Sequence, residues 1–187
     1  MTLRAIRLPF CALAFLTLLF KPFAAHAVEQ PDPKPLSAVT PPEQDADQRS
    51  PSVEWPLKHL YCVEYARLRS GLAIFGDARQ WWDRARNLYD EFATPAVDAV
   101  MVFAGSKRIR KGHVAVVTEI VSKREIIVDH ANWQNQGEID RNMPVLDVSA
   151  SNDWSRVRVW DVNSGGFGAH VYAIKGFIAG HLALARS

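Results

Sequence analysis

Three residues of this chain have the chemistry for nucleophilic catalysis: Cys62, His113 and Asn132. A thiolate is a strong nucleophile, and an imidazole can take the thiol proton and later protonate a leaving amine. A third polar group is needed to hold the imidazole in one tautomer and one orientation. A fold that brings these three side chains together would be able to break an amide bond through a covalent intermediate.

Cys62 is predicted to lie in the first turn of a helix that ends near Gly71. There it would face unpaired backbone N–H groups and the positive end of the helix dipole, which both favour the thiolate. A buried, inert cysteine is the commoner interpretation of such a segment taken alone. The apolar residues that recur at helical spacing are Tyr61, Tyr65, Leu68 and Leu72.

His113 is predicted to begin a β-strand at the edge of a cleft, and the next strand carries its candidate partners. If the hairpin closes through two residues, 123–124, or through four, His113 lies opposite Gln134, with Asn132 diagonally across and His130 next on that face. A three-residue loop would instead place Asp129 and Trp133 on the face of His113. We adopt the even-numbered loop.

Two other site interpretations rank lower. A metal site built from His113, Asp129 and His130 does not match the spacing of common zinc signatures. The basic run at residues 107–111 could hold an anionic polymer, but a solvated hairpin tip is the simpler interpretation.

Residues 1–27 have the pattern of a secretory signal peptide, with Arg4 and Arg7, an apolar run over residues 8–20, and a small-x-small site at residues 25–27. The apolar run is shorter than the roughly 17–25 residues that span a bilayer. An uncleaved anchor therefore ranks second, and we expect export to the periplasm or medium without stable membrane insertion after cleavage.

The rest of the chain divides into a Pro-rich disordered linker at residues 28–54 and one catalytic domain at residues 55–187. The formal net charge of +2 includes three basic residues of the signal segment, so the mature chain is close to neutral and gives no case for nucleic-acid binding. One cysteine remains after cleavage, which excludes an internal disulfide. We expect a monomer.

The order of predicted elements indicates an α+β fold. A second amphipathic helix is predicted from Asp77 to about Tyr89, with an aromatic stripe that we interpret mainly as core. Strand-like runs of period two follow, which favours helices packed on an antiparallel sheet. These runs are residues 99–103, 113–121, 125–130, 156–160 and 171–178.

As an ordered group, several motifs resemble the CHAP family, the cysteine, histidine-dependent amidohydrolases/peptidases. The resemblance covers about residues 55–178 and implies a papain-like α+β fold, with N-terminal helices packed on an antiparallel sheet of about five to six strands. It also implies hydrolysis of amide bonds in bacterial peptidoglycan, without metal or another cofactor. The motifs are Tyr61-Cys62-Val63, Gly76-Asp77-Ala78-x-x-Trp81, Gly112-His113-Val114-Ala115-Val116-Val117 and Asn132-Trp133.

The resemblance assigns the nucleophile to Cys62 and the base to His113, and it matches Asn132 to an Asn that precedes Trp in many members. Many members carry Glu two positions before that Asn, where this chain has His130. The orienting role is therefore open among Asn132, His130 and Asp129, and we favour Asn132.

Together these features predict an exported peptidoglycan hydrolase, either an N-acetylmuramoyl-L-alanine amidase or a peptide endopeptidase. One alternative is a peptidoglycan-binding module of the same fold that has lost turnover. Another is a cysteine amidase that acts on small peptides. Retention of both Cys62 and His113 favours the enzyme, whereas the loss of the family Glu slightly favours the binding module.

Overall fold

The computed structural model describes residues 49–180, so the predicted signal peptide and most of the predicted linker lie outside the described residues. Within this range no helix is long and apolar enough to cross a membrane. The helices are α1 (Cys62–Ser70) and α2 (Trp81–Ala85), with a 3-10 turn at Ala78–Gln80. The strands are β1 (Ser52–Glu54), β2 (Asp90–Phe92), β3 (Val100–Phe103), β4 (His113–Ser122), β5 (Glu125–Ala131), β6 (Ile139–Asp147), β7 (Arg156–Asp161), β8 (Gly166–Phe167) and β9 (Tyr172–Ala179).

Six of the nine strands between residues 49 and 180 close into an antiparallel barrel. The order is β6-β5-β4-β3-β9-β7, and β7 pairs back onto β6. Strands β1, β2 and β8 extend it by pairing with β6, β9 and β7. The predicted antiparallel pairing is confirmed, but five to six strands is too few. Closure leaves the six barrel strands without unpaired edges, a property that strand-by-strand patterns do not reveal.

Strand β6 is the main element that the sequence analysis missed. Asn142 lies within it at a φ of 55°, and the register with β5 shifts just there. Pro144 also interrupts the strand pattern, because proline cannot donate a ladder hydrogen bond. Strand β1 was missed as well, and it lies inside the segment that the sequence assigns to the linker.

Strands β3 and β4 have two apolar faces, because one lines the barrel and the other meets the helices. In β4, Ala115 and Val117 belong to the interior cluster, whereas Val114 and Val116 pack with α1 and α2. This alternation is the one predicted for β4 from period two. His113 begins the same strand on the interior face, where its ring contacts Phe103.

Helix α1 confirms the predicted start and end of the cysteine-bearing helix. Gly71 caps it at a φ of 73°, with its N–H donating to Arg67 O at 2.9 Å. At the start, the Glu64 carboxylate accepts from the Tyr61 N–H at 3.1 Å. The buried face is formed by Tyr65 and Ala66, whereas Tyr61 and Leu68 of the predicted stripe are exposed.

The predicted helix from Asp77 to Tyr89 is wrong in length. The 3-10 turn leads directly into α2, which ends when Arg86 turns extended (φ −50°, ψ 127°) and Asn87 takes a φ of 66°. Of the predicted apolar stripe, Ala78, Trp81 and Ala85 are nevertheless buried, and Trp82 and Tyr89 are partly buried against the same cluster. The interpretation of the stripe as core is therefore confirmed for these residues.

Gly112 fixes the point at which β4 and His113 begin. It has a φ of 73°, and a Cβ placed on it would lie 2.6 Å from Arg79 N. The Arg79 N–H donates to Lys111 O at 2.8 Å, so the 3-10 turn packs directly on this backbone. Only glycine combines the left-handed conformation with so close an approach.

We therefore expect Gly112→Ala to lower the free energy of unfolding by more than about 2 kcal/mol, the left-handed cost plus the displacement of the 3-10 turn. Gly165→Ala is the matched control, because Gly165 has a φ of 64° but no atom within 4 Å of the added Cβ. It should lose only the conformational cost of about 1 kcal/mol. Urea unfolding measures both, and equal losses would contradict the packing argument.

Candidate active site

Cys62 and His113 border one open cavity of about 710 Å³. Its walls come from the start of α1, residues 75–78, the β3–β4 connection and residues 132–134 beyond β5. The fold thus brings together the thiol and the imidazole that the sequence singles out. Asn132 borders the same cavity.

The backbone around Cys62 is held from both sides. The Leu60 N–H donates to Gly137 O at 3.3 Å, and the N–H of Tyr65 donates to Tyr61 O at 3.0 Å. Burial raises the pKa of the Cys62 thiol above its ordinary value of 9.0, and the backbone N–H groups of Val114, Val63 and Cys62 itself offset part of this rise. The helix start therefore acts in the expected direction, but desolvation outweighs it, and the expected thiolate is not favoured in the free protein.

His113 carries a buried, neutral imidazole. Its ring packs against Phe103 and Trp133, with centroid separations of 5.5 and 4.7 Å. Burial lowers the pKa of His113 well below its ordinary value of 6.5, and the neighbouring His130 lowers it further. Near neutral pH the ring is consequently unprotonated, with one nitrogen able to accept a proton.

The partner of His113 is His130. Nε2 of His113 lies 2.9 Å from Nδ1 of His130, and the His130 side chain is fully buried on β5. Burial lowers the pKa of His130 to about 3, so this ring is neutral too. In a contact between two neutral imidazoles one nitrogen donates and the other accepts, which fixes both tautomers together.

The register of the β4–β5 hairpin explains why His130 takes this position. The predicted even-numbered loop is confirmed and has two residues, because Ser122 pairs with Glu125. Two register shifts then occur along β4, within residues 117–119 and 120–122. Each adds one β4 residue, so two of them preserve the face but slide the pairing by two positions. His113 consequently comes opposite Asn132 instead of Gln134.

The same slide makes His130 the diagonal neighbour of His113, the place expected for Asn132. Asn132 leaves β5 at a φ of 59°, and its N–H donates to Glu138 O at 2.9 Å. Of the three candidate orienters, His130 is the one that bonds the ring of His113. The geometry thus favours His130 over Asn132 for this role.

Asp129 points to the opposite face, as the even-numbered loop predicts. Its carboxylate accepts from Tyr65 Oη at 3.2 Å, from Arg141 Nη1 at 3.0 Å and from the Asn142 N–H at 2.9 Å. The three proposed metal ligands therefore do not converge. Across residues 49–180, no group of three or more His, Cys, Asp or Glu side chains is arranged to hold a metal ion.

Sequence reasoning missed Asp140, which lies on β6 directly opposite His130 in the register. Its Oδ2 atom is 4.0 Å from Nε2 of His130 and accepts from Asn135 Nδ2 at 2.9 Å. Burial raises the pKa of Asp140 to about 7, helped by the nearby Glu138, although hydrogen bonds from Asn135 and the Trp133 N–H act against it. Without a predicted β6, no sequence signal linked this carboxyl to the site.

One edge of the cavity is basic. Arg67 and the run Lys107–Lys111 border it, with Glu64 and Asp77 as acidic neighbours. Nζ of Lys111 lies 3.8 Å from Asp77, which neutralises part of this charge. The run does lie between two strands, as predicted for a hairpin tip, but it also forms part of the cavity wall.

Residues 53–132 match the model of the CHAP domain. No curated protein is a significant match to the chain. Among solved structures, it is similar to the crystal structure of an N-acetylmuramoyl-L-alanine amidase from Staphylococcus aureus, at 25% sequence identity and a TM-score of 0.40. That alignment covers 63% of this chain and 30% of the other. The CHAP match spans Cys62, His113, His130 and Asn132, so the chain is similar to this family over the residues of the candidate site.

Proposed function

We propose that this chain is an exported cysteine hydrolase that cleaves amide bonds in bacterial peptidoglycan, with Cys62 as the nucleophile and His113 as the general base. The observation that carries the proposal is the shared cavity, which Cys62 and His113 both border, with His113 already engaged at Nε2. The CHAP family match over the same residues supports the reaction class. Export rests on the signal-like pattern of residues 1–27.

The protonation states favour general-base activation over a preformed ion pair. A raised thiol pKa and a lowered imidazole pKa leave both groups neutral near pH 7. Since Nε2 of His113 is engaged by His130, Nδ1 is the nitrogen that remains to receive the Cys62 proton. The thiol then transfers its proton as it attacks, which avoids a buried charge pair in the free enzyme.

In the first half-reaction, the sulfur attacks the carbonyl carbon while its proton moves to Nδ1 of His113. The tetrahedral intermediate collapses, the C–N bond breaks, and the protonated His113 gives its proton to the departing amine. The remaining thioester is hydrolysed by a water whose proton His113 takes, and the thiol is regenerated. The N–H groups of Val114, Val63 and Cys62 stabilise negative charge on the sulfur along this path.

The cavity suits a peptide that bears carboxylates. Its volume of about 710 Å³ is within the usual range for ligand pockets of about 300–1,000 Å³. Arg67 and the run Lys107–Lys111 give one edge a positive potential, which attracts anionic substrate groups. Peptidoglycan stem peptides are anionic of this kind, and both amidase and endopeptidase cleavage would place such a stem in the cavity.

The direct test is mass spectrometry of muropeptides after incubation of sacculi with the purified protein. We expect the wild type to release fragments that identify the amide cut, and Cys62→Ala to lose at least about a thousand-fold in rate, as loss of a nucleophile does. His170→Ala is the control, because His170 is exposed and away from the cavity. Binding of sacculi by the wild type without any release would favour the binding module instead.

The orienting role predicts a ranking of two neighbours. We expect His130→Ala to lower kcat by about ten- to a thousand-fold with little change in KM, because His113 loses its tautomer restraint. Asn132→Ala should cost less, since its side chain does not hold the ring. His130→Gln, which restores an acceptor, should recover part of the loss. A larger loss from Asn132→Ala than from His130→Ala would return the role to Asn132.

The thiol itself can be titrated without substrate. Because burial raises the pKa of Cys62 above 9.0, the thiolate fraction at neutral pH should be smaller than in a model thiol, and iodoacetamide should react more slowly. The alkylation rate should keep rising up to and beyond pH 9. A plateau near neutral pH would instead show a preformed thiolate–imidazolium pair.

A further inference from the structure

A second cavity lies behind the histidine pair. It has a volume of about 320 Å³, and His130 borders it, whereas His113 borders the first cavity. Three carboxyl groups line the second cavity: Glu138, Asp140 and Asp161. The two linked imidazoles therefore run from the candidate catalytic cavity to an acidic one.

Nε2 of His130 is buried and makes no hydrogen bond within the described residues. A buried polar atom without a hydrogen-bond partner costs free energy, so its presence in a folded protein calls for an explanation. Nε2 of His130 points toward Oδ2 of Asp140 at 4.0 Å, and the two residues are direct cross-strand partners on β5 and β6. Asp140 borders the second cavity, and a hydrogen bond to Nε2 of His130 needs this distance to shorten by about 1 Å.

Tautomer logic links this contact to Cys62. For Nδ1 of His113 to accept a proton, the proton of His113 must be on Nε2, which then donates to Nδ1 of His130. Nδ1 of His130 can accept only if the proton of that ring is on Nε2. The reactive arrangement thus requires an Nε2–H group on His130, directed at Asp140.

We propose that Asp140 is a positioning residue for His113, acting through His130. Its carboxylate holds the His130 proton on Nε2, so that His130 accepts from His113 and Nδ1 of His113 keeps a lone pair toward Cys62. The inference rests on the proposed function, because it assigns Nδ1 of His113 the role of base. It adds a residue that contacts neither the substrate nor the nucleophile.

Protonation of Asp140 reverses the chain of donors. A carboxylic acid donates to Nε2 of His130, which moves the His130 proton to Nδ1 and the His113 proton to the nitrogen that faces Cys62. Burial raises the pKa of Asp140 to about 7, so the competent carboxylate is lost as the pH falls through that value. The titratable groups that face Asp140 are His130 from β5, Glu138 from the preceding loop and Asp161 from β7, while β1 contributes only Val53.

The test that needs no substrate is the tautomer state of the two rings, read from long-range ¹H–¹⁵N correlation spectra of the full chain. At pH 8 we expect His113 and His130 in the wild type to be protonated on Nε2. Asp140→Asn should give mixed tautomers for both rings, and Asp140→Ala should lower the Nε2-protonated fraction of both rings further. Asp161→Asn, at the far wall of the same cavity, is the control and should match the wild type. Wild-type tautomers in both Asp140 variants would overturn the proposal.

The same variants can be tested by steady-state kinetics. We expect Asp140→Asn to lower kcat by about ten- to a hundred-fold with KM nearly unchanged, and to remove the rise of kcat/KM with pH near 7. Its melting temperature at pH 8 should not fall, since the amide removes a carboxylate that burial disfavours. A variant that melts lower and keeps the wild-type pH profile would show a merely structural role and overturn the proposal. If the wild type cleaves no peptidoglycan while the tautomers still depend on Asp140, the proposed function fails and the positioning role stands.

Discussion

The hydrogen bond between the two buried imidazoles, 2.9 Å long, is the interaction on which the candidate site depends. Both rings are neutral near pH 7, because burial lowers both pKa values. A neutral imidazole pair has only two proton arrangements, and they have opposite consequences for the cavity. One leaves a lone pair toward Cys62, and the other presents an N–H group there. The surrounding structure has to choose between them.

Strand register places the groups that bear on that choice. Two extra residues in β4 slide β5 by two positions, which keeps His130 on the face of His113 and brings it within hydrogen-bond reach. A further register shift between β5 and β6, at the left-handed Asn142, places Asp140 opposite His130 and sends Arg141 to the other face. There Arg141 donates hydrogen bonds to Asp129 and to Tyr65 of α1. One register shift therefore positions charged residues on both faces of β6. A change of register by one residue would exchange the faces on which Asp140 and Arg141 lie.

These details separate what sequence could predict from what it could not. The cysteine helix, the face of β4, the hairpin loop and the opposite direction of Asp129 all follow from local periods and turn chemistry. The orienter does not, because bulges depend on pairing between strands and leave little local signal. Strand β6 was missed for the same reason, since Asn142 and Pro144 look like a break when read alone. The short α2 ends where Arg86 turns extended and Asn87 takes a left-handed φ, a break that the apolar period does not show.

The histidine at position 130 also changes what the rest of the site must supply. A carboxylate at that position would accept from a ring N–H with either oxygen and has no tautomers, so it would need no further partner. An imidazole accepts through one nitrogen only when the other carries the proton. With His in place of an acid, a further acceptor is therefore needed beyond the His130 ring, to hold the proton on its second nitrogen. Asp140 stands at that point, on β6 directly opposite His130 and at the border of the second cavity. The negative charge then lies two rings away from Cys62 and adds no charge beside the thiol.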